Sequence, residues 1–130
     1  MPCKKLLIAD DDLKVLKALT VRLEAEGYEV IVCQDAYQAL EMARRHRPDL
    51  LLLDINMPAG NGFSVQERIA KIEEIARIPV IYITGDASEA VDRNAHKLGA
   101  RAIIHKPFKT EKLLETIRTA LGYWNCQSAA

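Results

Sequence analysis

The chain has 130 residues, which is enough for one domain with a sizeable core and leaves little room for a second. Its 18 Lys and Arg residues balance 18 Asp and Glu residues, and this zero net charge argues against wholesale binding to nucleic acid or to an anionic membrane. The three cysteines, Cys3, Cys33 and Cys126, are too far apart for a disulfide framework or a zinc knuckle, and no apolar run approaches the length of a membrane span. These features predict a soluble cytoplasmic protein.

Apolar runs and amphipathic stretches alternate along the whole sequence, and they predict five strands and five helices. In chain order, these elements are a strand at 5–9, a helix from 13 to a glycine cap at 27, a strand at 29–34, a helix that Asp35 caps and Pro48 stops, a strand at 50–54, a helix at 63–75, a strand at 79–84, a helix at 88–98, a strand at 102–105 and a helix at 111–121. This alternation predicts right-handed crossovers and a parallel sheet that helices cover on both faces.

Polar residues stand where four of the predicted strands end. Asp10 and Asp11 follow the first strand, Asp54 closes the third, Thr84 closes the fourth and Lys106 follows the fifth. Because the carboxyl ends of parallel strands lie at one edge of the sheet, where ligands bind in such folds, we expect these side chains to lie close together. Turn chemistry does not require an acid directly after four leucines, so Asp54 in particular needs a functional explanation.

The residue types at this edge suit phosphoryl transfer. Three clustered carboxylates raise one another's pKa unless a cation compensates their charge, and their oxygens favour a hard divalent ion such as Mg²⁺. With a hydroxyl from Thr84 and a positive charge from Lys106, an Asp carboxylate can act as the nucleophile and form an acyl phosphate. Structural roles stay open at this point, since aspartates before a helix can cap its N-terminus and a lysine before a proline can be a surface residue.

Four motifs in the same order resemble the receiver domain of two-component response regulators. They are LLIADDD at 6–12, LLLDINMP at 51–58 with Gly62, VIYITGDA at 80–87 and KPF at 106–108. The resemblance extends from Lys5 to Leu121. It implies an α/β fold of the flavodoxin-like (βα)5 type, a three-layer sandwich with strand order 2-1-3-4-5. It also implies a receiver domain at residues 1–122 and a short C-terminal tail at 123–130.

The resemblance assigns a role to each polar residue by its position. Asp54 is implied to be the phosphoacceptor, and Thr84 and Lys106 are implied to contact the phosphoryl group. The implied Mg²⁺ site consists of three carboxylates and one backbone carbonyl, those of Asp10, Asp11, Asp54 and Asn56 respectively. A cis peptide bond is expected between Lys106 and Pro107. The implied partners are a sensor histidine kinase or histidine phosphotransfer protein and a downstream effector on another chain or domain, without direct contact to nucleic acid or membrane; homodimerisation stays open.

Three positions bear on how such a domain would switch and lose its phosphoryl group. Ile103 stands where many receivers carry a rotating Tyr or Phe, which puts the aromatic part of the switch in doubt. Gly60 stands where an apolar Met is frequent, and it predicts a more mobile loop. Asp86 lies two residues after Thr84, where a side chain can orient an attacking water or repel it.

The leading prediction is a signalling module that phosphorylation controls, and not an enzyme that acts on a separate metabolite. Three other functions compete with it. One is an interaction or dimerisation module with the same fold that signals without phosphate, although such a chain would be expected to lose at least one of the polar residues. Another is a Mg²⁺-dependent phosphohydrolase, which would need a general acid where Asn56 stands. A flavodoxin would need Ser, Thr and Gly after the first strand, where three aspartates stand instead.

Overall fold

A computed structural model describes residues 4–57, 62–85 and 88–122. The strands are β1 (Lys5–Ala9), β2 (Glu29–Cys33), β3 (Leu50–Asp54), β4 (Val80–Thr84) and β5 (Ala102–His105). The helices are α1 (Leu13–Ala25), α2 (Ala36–His46), α3 (Gly62–Ile69), α4 (Glu89–Lys97) and α5 (Thr110–Ala120). Gly60, Asp86 and the predicted tail at 123–130 lie outside the described residues. In the part of the chain that is described, no helix has the length and apolarity to cross a membrane.

The five strands form one parallel sheet in the order β2-β1-β3-β4-β5, which confirms the predicted topology. Successive side chains of a strand point to opposite faces of a sheet. The leucines of β3 are therefore divided, with Leu51 and Leu53 packed beneath α2, α3 and α4 and with Leu50 and Leu52 packed beneath α1 and α5. The sheet thus lies between two helical layers as predicted, and its central strands β1, β3 and β4 are buried on both faces.

Polar side chains cap the starts of helices, and a glycine follows the end of α1. The side chain of Asp12 accepts a hydrogen bond from the Lys14 N–H at the start of α1, and Asp35 accepts one from the Gln38 N–H at the start of α2. Gly27 follows α1 with φ 96°, a left-handed conformation that glycine adopts without steric cost. These local signals explain why most predicted bounds agree with the observed ones within two residues.

The third helix differs from its prediction. It was expected over Phe63–Ile75, but α3 ends at Ile69 and the chain continues in turns. The N–H groups of Ile72, Ile75 and Ile78 bond the carbonyl three residues earlier. An α-helix rotates about 100° per residue, so side chains three apart drift around its axis, whereas three-residue turns keep them on one side. The turns therefore let the isoleucines from 69 to 78 pack on the same core.

Candidate functional site

Three carboxylates meet at the carboxyl edge of the sheet. β1 and β3 are neighbours with Ala9 opposite Leu53, so the residues that follow them, Asp10 and Asp54, lie side by side. One carboxylate oxygen from each of Asp10, Asp11 and Asp54 lies within 4.8 Å of the others. Asp10 and Asp54 are 1% and 6% exposed, whereas Asp11 is open to solvent. The cluster is an all-oxygen donor set with one accessible side, which fits a hard cation that keeps part of its water shell.

Lys106 joins the two buried carboxylates. Its Nζ lies 3.0 Å from Asp10 Oδ2 and 3.1 Å from Asp54 Oδ2. The Lys106 N–H donates to the Thr84 carbonyl over 2.7 Å, which holds the start of the loop after β5 against the end of β4. The Lys106–Pro107 peptide bond is cis, as expected. One ammonium group therefore pairs with two of the three carboxylates. The cluster of three carboxylates and Lys106 keeps an excess of negative charge.

Backbone N–H groups fix the second oxygen of each buried carboxylate. The Asp12 N–H donates to Asp10 Oδ1 and the Asn56 N–H donates to Asp54 Oδ1, each over 2.9 Å. Both carboxylates are thus held between one backbone donor and the Lys106 ammonium. A carboxylate that is oriented in this way loses little further freedom when it reacts, which favours a defined direction of attack.

The electrostatics of the site leave it short of positive charge. Burial raises the pKa of Asp54, the Asn56 N–H and Lys106 lower it, and the nearby charge of Asp10 raises it again, so that the pKa lies above its ordinary value. Burial lowers the pKa of Lys106, but hydrogen bonds to Asp10 and Asp54 outweigh that effect and raise it. Lys106 therefore stays a cation, and an additional cation would be needed to stabilise the ionised cluster fully.

Thr84 lies fully buried at the end of β4, between the other parts of the site. In the sheet, Asp54 pairs with Ile83 on one side and His105 pairs with Thr84 on the other. The structure thus brings the residues of the predicted set to one edge: Asp10, Asp11, Asp54, Thr84 and Lys106. Asn56, two residues after Asp54, is exposed to solvent. Ile103 packs partly buried in the core and lies opposite Tyr82 of β4.

Sequence reasoning missed two polar contacts on the same side of the sheet. The Tyr82 hydroxyl donates to Gln66 on α3, and His105 Nε2 lies 3.4 Å from Asp92 Oδ1 on α4. One signal was available, because alternation along β4 turns Tyr82 toward the same helical layer as Val80. The partners come from other elements, however, and their pairing depends on tertiary packing.

Comparisons with known proteins agree with this geometry. The family model described as the response regulator receiver domain matches residues 6–118. The polar-differentiation response regulator DivK of Brucella anthropi is 35% identical over 122 residues, which cover 94% of this chain and 98% of that protein. A CheY-like response regulator receiver domain protein from Methanospirillum hungatei has a TM-score of 0.85 and 34% identity, with 92% of this chain and 94% of that one covered.

A further solved structure is informative about metal binding in the family. The receiver domain of a Pseudomonas aeruginosa sensor histidine kinase, with a magnesium ion coordinated in its active-site cleft, has a TM-score of 0.85 and 28% identity and covers 92% of this chain and 98% of that one. The fold, the acidic edge and the family match all lead to the same assignment. This chain belongs to the response regulator receiver domains of two-component systems.

Proposed function

We propose that Asp54 accepts a phosphoryl group from the phosphohistidine of a sensor histidine kinase or a histidine phosphotransfer protein. The observation that carries the proposal is the pairing of the Lys106 ammonium with two buried carboxylates, at 3.0 and 3.1 Å, beside the exposed acid Asp11. Structural caps do not need such an arrangement, because Asp12 alone caps α1. Receiver domains are signalling modules, and we expect no turnover of a separate substrate.

The side chains of this chain divide the work of phosphoryl transfer. A carboxylate oxygen of Asp54 attacks phosphorus, the bond from phosphorus to the donor nitrogen breaks, and the electron pair of that bond returns to the imidazole. Lys106 compensates negative charge on the phosphoryl oxygens, and the Thr84 hydroxyl is available to donate to one of them. Asp10, Asp11, Asp54 and the Asn56 carbonyl would hold Mg²⁺, which would neutralise charge on the attacking and transferred groups when bound.

The product would change the charge at the edge of the sheet. An aspartyl phosphate adds roughly 1.5 to 2 negative charges and three acceptor oxygens. Attraction of Thr84 and Lys106 to these oxygens would shift a pre-existing equilibrium between inactive and active conformations and alter the face formed by α4, β5 and α5. An effector on another chain or domain would read that change. The division into a receiver at 1–122 and a tail at 123–130, and a cytoplasmic location, stay predictions.

The proposal is tested by phosphorylation with acetyl phosphate, which supplies a phosphoryl group without a partner protein. We expect the wild-type chain to incorporate phosphate in the presence of Mg²⁺ and to incorporate little when EDTA removes the metal. Asp54→Asn should abolish incorporation. Asp12→Asn is the matched control, because it removes a neighbouring acid while asparagine still caps α1. Incorporation by Asp54→Asn at the wild-type level would overturn the assignment.

A further inference from the structure

A buried polar chain ties α4 to the rest of the fold at the C-terminal end of the helix. The Tyr82 hydroxyl donates to Gln66 Oε1, and Gln66 Nε2 donates over 2.9 Å to the carbonyl of Leu98, the C-cap residue of α4. Tyr82 is fully buried and Gln66 is 9% exposed. The two bonds therefore connect β4, α3 and the end of α4 in an environment where water competes little.

The acceptor in this chain is a group that the helix itself cannot satisfy. The last carbonyls of an α-helix have no partner within the helix and need one from elsewhere. Gln66 supplies that partner for Leu98, and the Tyr82 hydroxyl holds the amide of Gln66 in the required orientation. Burial raises the pKa of Tyr82, with a smaller contribution from the charge of Glu67, so the hydroxyl stays protonated and remains a donor.

The N-terminal half of α4 is held much less firmly. In this half, Val91 packs only partly buried against the core, and His105 Nε2 of β5 lies 3.4 Å from Asp92 Oδ1. This distance is longer than that of a good hydrogen bond, and Asp92 Oδ1 has no hydrogen-bond partner among the described residues although it is buried. Among the residues of α4, all of which the structure describes, Ala95 alone is fully buried, and it lies toward the C-terminal end. Polar contacts and apolar burial thus both hold the C-terminal end more tightly.

We infer that Tyr82 and Gln66 are positioning residues that fix the C-terminal end of α4, so that a rearrangement around Thr84 moves the N-terminal end of the helix about Leu98. The inference rests on the proposed function, because phosphorylation of Asp54 supplies the rearrangement. Thr84 ends β4, and the link from β4 to α4 starts beside it. A displacement at Thr84 therefore reaches the loosely held end of α4 first.

This arrangement also assigns a role to the aromatic ring of Tyr82. Ile103 lies opposite Tyr82 in the sheet, and the Tyr82 ring packs edge-on against Phe63 with ring centroids 5.0 Å apart. The ring of Tyr82 is thus fixed on β4 by packing and by its hydroxyl. In this chain the aromatic group acts as a fixed point, and the helix is the element that moves.

The test compares the two ends of α4 by NMR with Mg²⁺ and beryllofluoride, a mimic of the phosphoryl group. The ¹⁹F signal of bound beryllofluoride and the shift of the Asn56 amide report adduct formation independently of α4. In the wild-type chain we expect large amide shift changes at 88–92 and at the His105 imidazole, and small ones at 95–98 and at the Gln66 side-chain amide. Shift changes of equal size at both ends, with the adduct formed, would overturn this inference alone.

Variants establish whether the polar chain causes the difference. In Tyr82→Phe and in Gln66→Leu, the amide hydrogens of residues 95–98 should exchange with solvent about tenfold faster, which is the factor that corresponds to loss of one hydrogen bond. Adduct formation should then change the amide chemical shifts of residues 95–98 as much as those of residues 88–92. Tyr28→Phe is the matched control, because it removes the hydroxyl of a buried tyrosine on the other face of the sheet. Variants that keep the wild-type difference between the two ends would overturn the inference, and failure to form any adduct would overturn the proposed function and the inference with it.

Discussion

Asp54 is a buried carboxylate whose surroundings only partly support its charge. It is 6% exposed, lies beside a second buried acid, and shares the Lys106 ammonium with that acid. The raised pKa of Asp54 shows that burial and Asp10 outweigh the donors. A metal ion or a phosphoryl group would relieve this unfavourable charge. Without either, the ionised Asp54 lowers the stability of the folded protein.

The sign of this effect can be measured. A carboxyl group whose pKa is raised in the folded state makes the folded protein bind more protons, so stability falls as the pH rises through the interval between its unfolded and folded pKa values. Without metal, we expect the free energy of unfolding to fall as the pH rises above about 4, the ordinary pKa of an aspartate, because of Asp54. Asp54→Asn should remove that part of the fall and be the more stable protein at neutral pH in urea denaturation with EDTA.

Asp12→Asn is the control for that comparison, because it should leave the Asp54 contribution in place. If Asp54→Asn proved less stable than the wild type at neutral pH without metal, the electrostatic account of the site would be wrong.

Removal of Lys106 leaves two buried carboxylates without their shared cation. Breaking a fully buried ion pair costs about 3–5 kcal/mol. The Lys106 side chain is 30% exposed, so solvent reduces this penalty, and we expect Lys106→Met to lose about 1–3 kcal/mol of unfolding free energy without metal. Mg²⁺ should restore part of the loss, and Lys106→Arg should lose less than Lys106→Met. Unchanged stability in Lys106→Met would show that the two contacts contribute nothing.

At the scale of elements, α3 and the Tyr82–Gln66 chain show what the sequence could not reveal. Apolar runs and caps were sufficient to predict the order of strands and helices, because those signals are local. Isoleucines three residues apart fit one or two turns of an α-helix, and over a longer stretch they fit three-residue turns. Only packing on the core decides between the helix and the turns. The contact of Gln66 with Leu98 joins residues 32 positions apart and leaves no local pattern.

The buried polar chain also makes a stability prediction. Gln66→Leu should cost about 1–3 kcal/mol, because it leaves the Tyr82 hydroxyl and the Leu98 carbonyl buried without these partners. The double variant with Tyr82→Phe should cost less than the sum of the two single variants, because the hydroxyl no longer needs a partner. Chemical denaturation of the four proteins forms a double-mutant cycle. Strictly additive losses would show that Tyr82 and Gln66 do not act together.

At the scale of the whole molecule, the zero net charge conceals an uneven distribution. The acids at the carboxyl edge leave the candidate site negative even after Lys106 is counted, although the chain as a whole is neutral. The sequence predicted that these residues would meet, because the fold of an alternating α/β chain brings its strand ends together. It could not predict which carboxylate oxygen each donor contacts, since that depends on rotamers and on the turns after β1 and β3.

This negative edge should make the stability of the molecule depend on Mg²⁺. At about 100 times its dissociation constant, a ligand that binds only the folded state stabilises it by about 2.7 kcal/mol. Asp11→Asn should leave the metal-free stability nearly unchanged, because Asp11 is exposed, but should reduce the rise in melting temperature with Mg²⁺. Asp12→Asn should keep that rise. An equal rise in both variants would exclude Asp11 from the metal site.

The central claim is that Asp54 carries the phosphoryl group, and chemical trapping tests it most directly. Borohydride reduces an aspartyl phosphate to homoserine, which peptide mass spectrometry locates in the sequence. After treatment with a phosphodonor and Mg²⁺, we predict homoserine at position 54 in the wild-type chain and none when EDTA is present. Homoserine at a different aspartate, or incorporated phosphate without any homoserine at position 54, would contradict the account.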